Sequence, residues 1–347
     1  MIHATSLQQL RDFGVTRAAI SCGVYDGLHR GHQSILDVLS DTAAATDAQP
    51  VVISFEPHPL AILAPERAPK LLLSPAHKFR LMENLGVAAL VVMPFTAALA
   101  AVEAEAFVTD ILLGAGIEVT GICVGEKWRF GNRAAGDTAL LRALAARHGC
   151  AVATVREELD GNRPISSTRI REAVADGDLH LCERLLGRRF SIMGPVEFGK
   201  DLATSDLHYP TANVCPSNKV FPPFGIYAAL ARLLDGADSE TPPSLPGILY
   251  LGNSPTYLEA APSTPFVEMH IFDFHADLYG QHIEVEFLDW IREDRKFDTV
   301  EALGRQIEDD VRRARQIHAE RQAPAGLGES SQPDTTNTRF PKPRRYG

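Results

Sequence analysis

The stretch AAISCGVYDGLHRGH, from Ala18 to His32, changes character twice within a few residues. It begins as an apolar run without polar alternation, the pattern of a strand covered on both faces. It then breaks into the glycine-rich turn GVYDG and leaves it through LHRGH into a helix predicted from about Gly31 to Ala45. Outward from there the alternation repeats: PVVISFEPHP, VAALVVMPF, VTGICVG and CAVATV read as further strands, with helices expected near 75–85, 104–115 and 137–148. Strands of this kind, apolar on both sides and separated by helices, predict a parallel α/β sheet with helices on both faces.

After STRIREAVADGDLHLCERLLGRRF the texture changes. FSIMGPVEF, YPTANV, GIYAALARLL, GILYLG, FVEMHIFDF and HIEVEFLDWI are short alternating runs with Pro and Gly between them, which predicts an antiparallel sheet or small barrel. TVEALGRQIEDDVRRARQIHAE reads as a closing amphipathic helix, and the last residues carry too little apolar content to fold. The expected organisation is an α/β domain over 1–186, a β domain over 187–318 and a disordered tail over 319–347.

Bulk properties limit the function classes. The chain has 347 residues, 45% hydrophobic and 22% charged, enough for two domains of roughly 150 residues each with their own cores. A net charge of -10 and a pI of about 5.6 argue against a nucleic-acid partner or an anionic membrane partner, since both need a dense basic surface. Phosphate chemistry must therefore be local. Cys22, Cys123, Cys150, Cys182 and Cys215 are scattered and never form CxxC, so they read as buried thiols in a reducing compartment. No signal sequence or long apolar run is present, which makes a cytoplasmic location the expectation, with a homo-oligomer left open.

In α/β sheets, ligands sit at the carboxyl ends of the strands, where loop amides and helix N-termini favour anions. GVYDGLHRGH is placed there: Gly23, Gly27 and Gly31 let backbone approach a phosphate, and His29 and His32 can donate to phosphoryl oxygens. A plain turn with surface histidines would carry the same letters, so the other loops decide. ISSTRIR, Ile165 to Arg171, sets hydroxyls and two guanidiniums at a predicted helix start, which suits a polyphosphate. SFEPHP and VGEKWRFGNRAAGD also end predicted strands in polar loops. Together they describe one site.

As a set these motifs resemble the GxFDGxHxGH, FxPHP, VGxDFxFGxxRxGD and ISSTxIR series of the prokaryotic bifunctional riboflavin kinase/FAD synthetases, over residues 16–186. The resemblance implies a Rossmann-like nucleotidylyltransferase domain that transfers AMP from ATP to FMN with Mg²⁺, giving FAD and pyrophosphate. It places Gly23, Tyr25, Asp26, His29 and His32 in the ATP-binding loop and Ser166, Ser167, Thr168 and Arg171 in a second phosphate-binding motif, with His29, His32 and Arg171 catalytic. Because the FMN phosphate is already a nucleophile, the protein's work is to position and neutralise anions. Tyr25 stands where Phe is usual, and Lys127 where Asp is usual.

YPTANV, FGIYA, FVEMHIFDFHADLYG and WIREDRKF resemble the riboflavin kinase module of the same family, a small Greek-key β-barrel, over 187–317. That resemblance implies Mg-ATP binding by Thr211 and Asn213 (also the metal-binding pair), flavin contacts from Glu268 and Arg292, and Glu268 as the general base on the ribityl hydroxyl of riboflavin. The flap GKDLATSDLHYPTAN departs from the family: Ala203, Thr204 and His208 stand where Gly, Arg and Gly are expected. Tyr250 and Ser254 replace the usual Asn and Arg. Alongside the bifunctional enzyme, this leaves three other readings: an adenylyltransferase with a silent kinase-like module, a nucleotidylyltransferase for another cofactor precursor, and a flavin-storage protein.

Overall fold

The apolar runs of the first half form a six-stranded, all-parallel sheet in the computed structural model, which describes residues 1–197, 210–235, 243–252 and 265–322. The chain divides into two compact units, Met1–Ile170 with Leu185–Gly187, and Arg171–Arg184 with Arg188 onward.

In the first unit the strands are β1 (Ile2–Ala4), β2 (Arg17–Cys22), β3 (Gln49–Glu56), β4 (Ala89–Pro94), β5 (Glu118–Gly125) and β6 (Ala151–Val155). They lie in the order β1-β4-β3-β2-β5-β6. Alternate residues feed two apolar layers: Ala18, Ile20, Val51, Ile53 and Ile122 pack against Val108, Leu112 and Leu141, and Ala19, Val52, Leu90 and Cys123 against Leu36, Leu39 and Met82. Burial on both faces is why these strands read as unbroken apolar runs. From β2 the chain winds outward through β3 to β4, then returns to the other side of β2 for β5 and β6. The winding reverses between β2 and β5, the position at which such sheets bind ligands. The turn from Gly23 leads directly from β2 at that point.

Two elements differ from the sequence expectation. β1 is a three-residue edge strand, paired with β4 through Ile2, His3 and Ala4, and too short to show a period. The helix expected over 104–115 is a turn of α-helix, Ala104–Ala106, followed by π-helix over Phe107–Leu113. A small hairpin, β7 (Leu159–Asp160) with β8 (Arg163–Pro164), precedes the helix Ser167–Ala175.

The second unit holds β9 (Ser191–Glu197), β10 (Ala212–Val214), β11 (Gly225–Leu233), β12 (Ser244–Gly252), β13 (Phe266–Ile271) and β14 (His282–Glu293). They close into an antiparallel barrel in the order β10-β13-β12-β11-β14-β9. Leu249, Leu251, Val267, Met269, Val285 and Phe287 are buried, while the alternate residues Tyr250, Glu268 and His270 stay partly exposed, as period-two strands require. The helix Val300–Gln322 lays Ala314 and Ile317 over Ala228, Leu230 and Leu288 on the outer barrel surface. That helix runs past 319, so the expected tail boundary is too early; residues 323–347 lie outside the described residues. Four cysteines are buried as expected, but Cys215 is exposed. No helix among the described residues is long and apolar enough to cross a membrane.

Candidate functional site

His29 is the N-cap of the helix Arg30–Ala45. Its Nδ1 accepts from the His32 backbone N–H at 3.3 Å, so a neutral ring carries its proton on Nε2, the atom able to donate outward. The His29 and His32 rings stack 3.7 Å apart with planes 15° from parallel, and Tyr25 lies 5.0 Å from His32. Burial, with the charges of His29 and Lys78, pulls His32 well below the usual imidazole range. Its Nδ1 is buried and has no hydrogen-bond partner among the described residues, an atom that a ligand or water would satisfy.

The glycines do different work from that expected. Only Gly27 has positive φ, at +86°, and a Cβ there would come within 2.8 Å of Leu72. At Gly23 and Gly31 the space is taken by the Tyr25 and His29 rings, 3.1 and 3.3 Å from where a Cβ would stand. Tyr25 and Leu28 also adopt left-handed backbone, at φ 53° and 43°, a conformation that costs a non-glycine residue about 1–3 kcal/mol and clusters at functional turns. What holds the turn is Asp26: its buried carboxylate accepts from Leu72 N–H at 3.0 and 3.1 Å and from Leu73 N–H at 3.2 Å. The Tyr25 hydroxyl, meanwhile, meets that of Ser21 in β2.

ISSTRIR reaches this turn directly. The Ser167 hydroxyl donates to the Asp26 carbonyl at 2.7 Å, joining residues far apart in the chain. Ser166 accepts from Arg169 N–H at 3.3 Å and so caps the helix, while Thr168 is exposed. The two arginines part company. Arg169 is buried and fastens the hairpin, pairing with Asp160 at 2.6 Å and donating to the Arg163 carbonyl at 3.2 Å; Arg171 follows Ser167 by one helical turn. The neighbouring loops are tied by charge: Arg30 pairs with Glu158 at 3.0 Å, and Lys127 with Glu157. Lys127 thus acts as a tie between the loops after β5 and β6. His58 of SFEPHP and Asp137 of the GD pair cap the helices that follow them.

The barrel assembles its candidate residues by register. Asn213 in β10 sits directly opposite Glu268 in β13, and Glu268 sits opposite Tyr250 in β12. Directly paired residues share a face, so the three form a row; Thr211 lies just ahead of β10, two residues before Asn213. The row continues through Ile226 in β11 to Arg292 in β14. Burial pushes the Glu268 carboxyl above the usual range. The Tyr250 hydroxyl donates to Asp294 at 3.0 Å. The Arg292 guanidinium is spent on Asp310, with donors at 2.8–3.0 Å to both carboxylate oxygens, tying β14 to the closing helix. A cavity of about 130 Å³ opens beside Thr211, against Met269, Leu278 and Tyr279. Lys200, Ala203, Thr204, His208 and Ser254 lie outside the described residues.

Comparison with known proteins matches the two units separately. The FAD synthetase family model covers residues 15–169 and the riboflavin kinase model residues 186–318. The bifunctional riboflavin kinase/FMN adenylyltransferase of Escherichia coli K12 is 34% identical over 86% of this chain and 92% of its own length; that of Pseudomonas fluorescens is 36% identical over the same shares. This chain belongs to the bifunctional riboflavin kinase/FMN adenylyltransferase family. Among solved structures, a Streptococcus pneumoniae chain titled macrolide-efflux protein aligns with a TM-score of 0.73 at 26% identity, covering 89% of this chain and 96% of its own.

For a member of this family, the notable residues are those that sequence reading passed over. Lys78 donates to the Val24 carbonyl inside the first turn, and Asp310 holds Arg292. Both sit in helices where one charged residue looks like part of a solvated face. Only the tertiary fold shows what each side chain meets.

Proposed function

We propose that the chain makes FAD in two steps, phosphorylating riboflavin to FMN in residues 187–318 and adenylylating FMN in residues 1–186. The observation that carries the second step is the Ser167 to Asp26 hydrogen bond, which puts the start of the serine-rich helix against the histidine turn at the point where the sheet's winding reverses. In adenylyl transfer, an oxygen of the FMN phosphate bonds to the α-phosphorus of ATP, the α–β bridging P–O bond breaks and pyrophosphate leaves. Gly23, Tyr25 and Asp26 shape the turn. His29, donating from Nε2, and His32 act on phosphoryl oxygens, and Ser166, Ser167, Thr168 and Arg171 complete the phosphate site. Preorganised donors of this kind stabilise developing charge without forming a covalent intermediate.

In the kinase step the ribityl hydroxyl oxygen bonds to the γ-phosphorus of ATP, ADP leaves and Glu268 takes the hydroxyl proton. A carboxylate whose proton affinity is raised by burial is the better base for that task. Thr211 and Asn213 offer a hydroxyl and an amide oxygen, a donor set that fits Mg²⁺, which takes few protein ligands and fills its shell with water and phosphate oxygens. Bound there, Mg²⁺ neutralises charge on the phosphates. Arg292 positions the flavin edge of the site through its anchor on Asp310. ATP, riboflavin and FMN are the small-molecule partners, and a cytoplasmic enzyme without nucleic-acid partners fits the chain's charge.

Product analysis tests both steps. Riboflavin with Mg-ATP should yield FMN and then FAD, and FMN with Mg-ATP should yield FAD and pyrophosphate. FAD from FMN without FMN from riboflavin would reduce the barrel to a flavin-binding partner. Turnover of neither flavin would overturn the assignment.

A further inference from the structure

Lys78 lies in the helix Pro75–Asn84, and its partly buried side chain reaches the carboxyl edge of the sheet. There Nζ donates to the Val24 carbonyl at 2.8 Å and to the Ser54 hydroxyl at 3.4 Å. Ser54 donates to the same carbonyl at 3.1 Å. One ammonium therefore joins β3 to the turn that follows β2, two residues before Asp26. An ammonium has three N–H donors, and the third has no acceptor among the described residues.

The surrounding charges leave that ammonium only partly compensated. Burial pulls Lys78 below its usual range, against the opposing pull of Asp26 and Glu56. Asp26 directs its carboxylate oxygens at the Leu72 and Leu73 amides. On the other side the charge of Lys78 reaches His32, whose Nδ1 is buried without a partner. A tie between two strand ends needs only a neutral donor, and burying a cation costs several kcal/mol unless an anion joins it. An anion arriving at the His32 side of the turn would supply what is missing.

We propose that Lys78 binds and positions substrate for adenylyl transfer: it fixes the Val24 carbonyl under the histidine turn and gives its third N–H to a phosphoryl oxygen of ATP or FMN. The assignment rests on the reading of FAD synthesis above. The bond it makes is non-covalent, and no proton is transferred.

The test uses the full-length protein with Lys78→Gln, which keeps a donor for Val24 but removes the charge, and Lys78→Arg, which keeps the charge. FAD formation is measured while ATP and FMN are varied in turn, with riboflavin phosphorylation in the same preparations as a control for folding. Lys78→Gln should raise KM at least about tenfold for whichever substrate supplies the oxygen, while Lys78→Arg stays within about threefold of wild type. Riboflavin phosphorylation should not change in either. A Lys78→Gln enzyme within about twofold of wild type overturns the assignment, as does a fall in kcat with both KM values unchanged, the mark of a contact that does not bind either substrate in the ground state. If Lys78→Gln loses both activities through misfolding, Lys78→Arg decides: retained FAD synthesis supports the assignment, and its loss with riboflavin phosphorylation intact overturns it. Wild-type FAD formation, run alongside, keeps failure of this assignment distinct from failure of the functional reading.

Discussion

The turn after β2 and the outer face of the barrel both gather candidate phosphate-site residues, but they come by them differently. Gly23 to His32 is a local device: a capping histidine, a left-handed glycine and a buried aspartate set the geometry within a few residues, and Ser167 and Lys78 brace it. The barrel face takes Asn213, Glu268, Tyr250 and Arg292 from four separate strands and aligns them by pairing alone. A one-residue slip in any of those strands would turn its functional side chain to the opposite face. The first arrangement can therefore be damaged piece by piece, whereas the second depends on one register and, in the function proposed above, on Glu268 as its base.

The largest effect that would separate the two regions is at that base. Glu268→Gln keeps the shape of the row and removes its proton acceptor, so riboflavin phosphorylation should fall about 10²–10⁴-fold, with FAD formation from added FMN unchanged. Assays with each flavin supplied separately check this. Loss of both activities would mean that the barrel substitution disturbs folding and that the regions are not independent.

Next comes the local device. His29→Ala removes a phosphate-directed donor and should lower FAD synthesis at least about tenfold. It also removes a helix cap, at a cost of about 1 kcal/mol. His29→Asn restores a capping acceptor without an imidazole. Wild-type stability combined with the same loss of activity in His29→Asn would assign the loss to chemistry. Recovery of activity in His29→Asn would make the cap the whole contribution and remove His29 from the catalytic set.

The same contrast explains what the sequence could disclose. The sheet was readable because β2 to β5 are largely buried on both faces and so carry unbroken apolar runs, and the barrel because period-two alternation marks its strands. The histidine turn was readable because its parts are adjacent. The bracing was not. Arg169 and Arg171 are two residues apart in one motif, yet only the hairpin built by β7 and β8 makes Arg169 structural. Gly23 and Gly31 looked like room for phosphate, but the structure fills that room with Tyr25 and His29. Tyr250, met as a departure from the family pattern, proves to sit beside Glu268 because β12 pairs with β13 in that register. Lys78 gave no signal at all, since an ammonium on a helix surface becomes a site residue only when two strand ends are folded against it.

The smallest expected effect concerns the turn's resting charge and tests whether His32 is held neutral. Its imidazole is depressed well below 6.5 in the folded protein, while in the unfolded chain it titrates near the ordinary value of about 6.5. Above that pH neither state binds the proton and stability is unaffected. As pH falls below 6.5 the unfolded chain takes up a proton that the native turn refuses, so stability is lost at up to about 1.4 kcal/mol per pH unit. The carboxylates that also titrate in acid do so mainly below this window. Trp128 lies in the first unit and Trp290 in the second, so in a Trp290→Phe background Trp128 fluorescence reports denaturant unfolding of the histidine turn's own unit. Between pH 6.5 and 5.5 the His32→Gln variant should lose about 1 kcal/mol less stability than its parent, as the other titrating groups cancel in the difference. Parallel curves would mean that the native ring accepts a proton as readily as the unfolded chain. His32 would then behave as an ordinary imidazole that gains its proton near pH 6.5, rather than as a ring held neutral by burial.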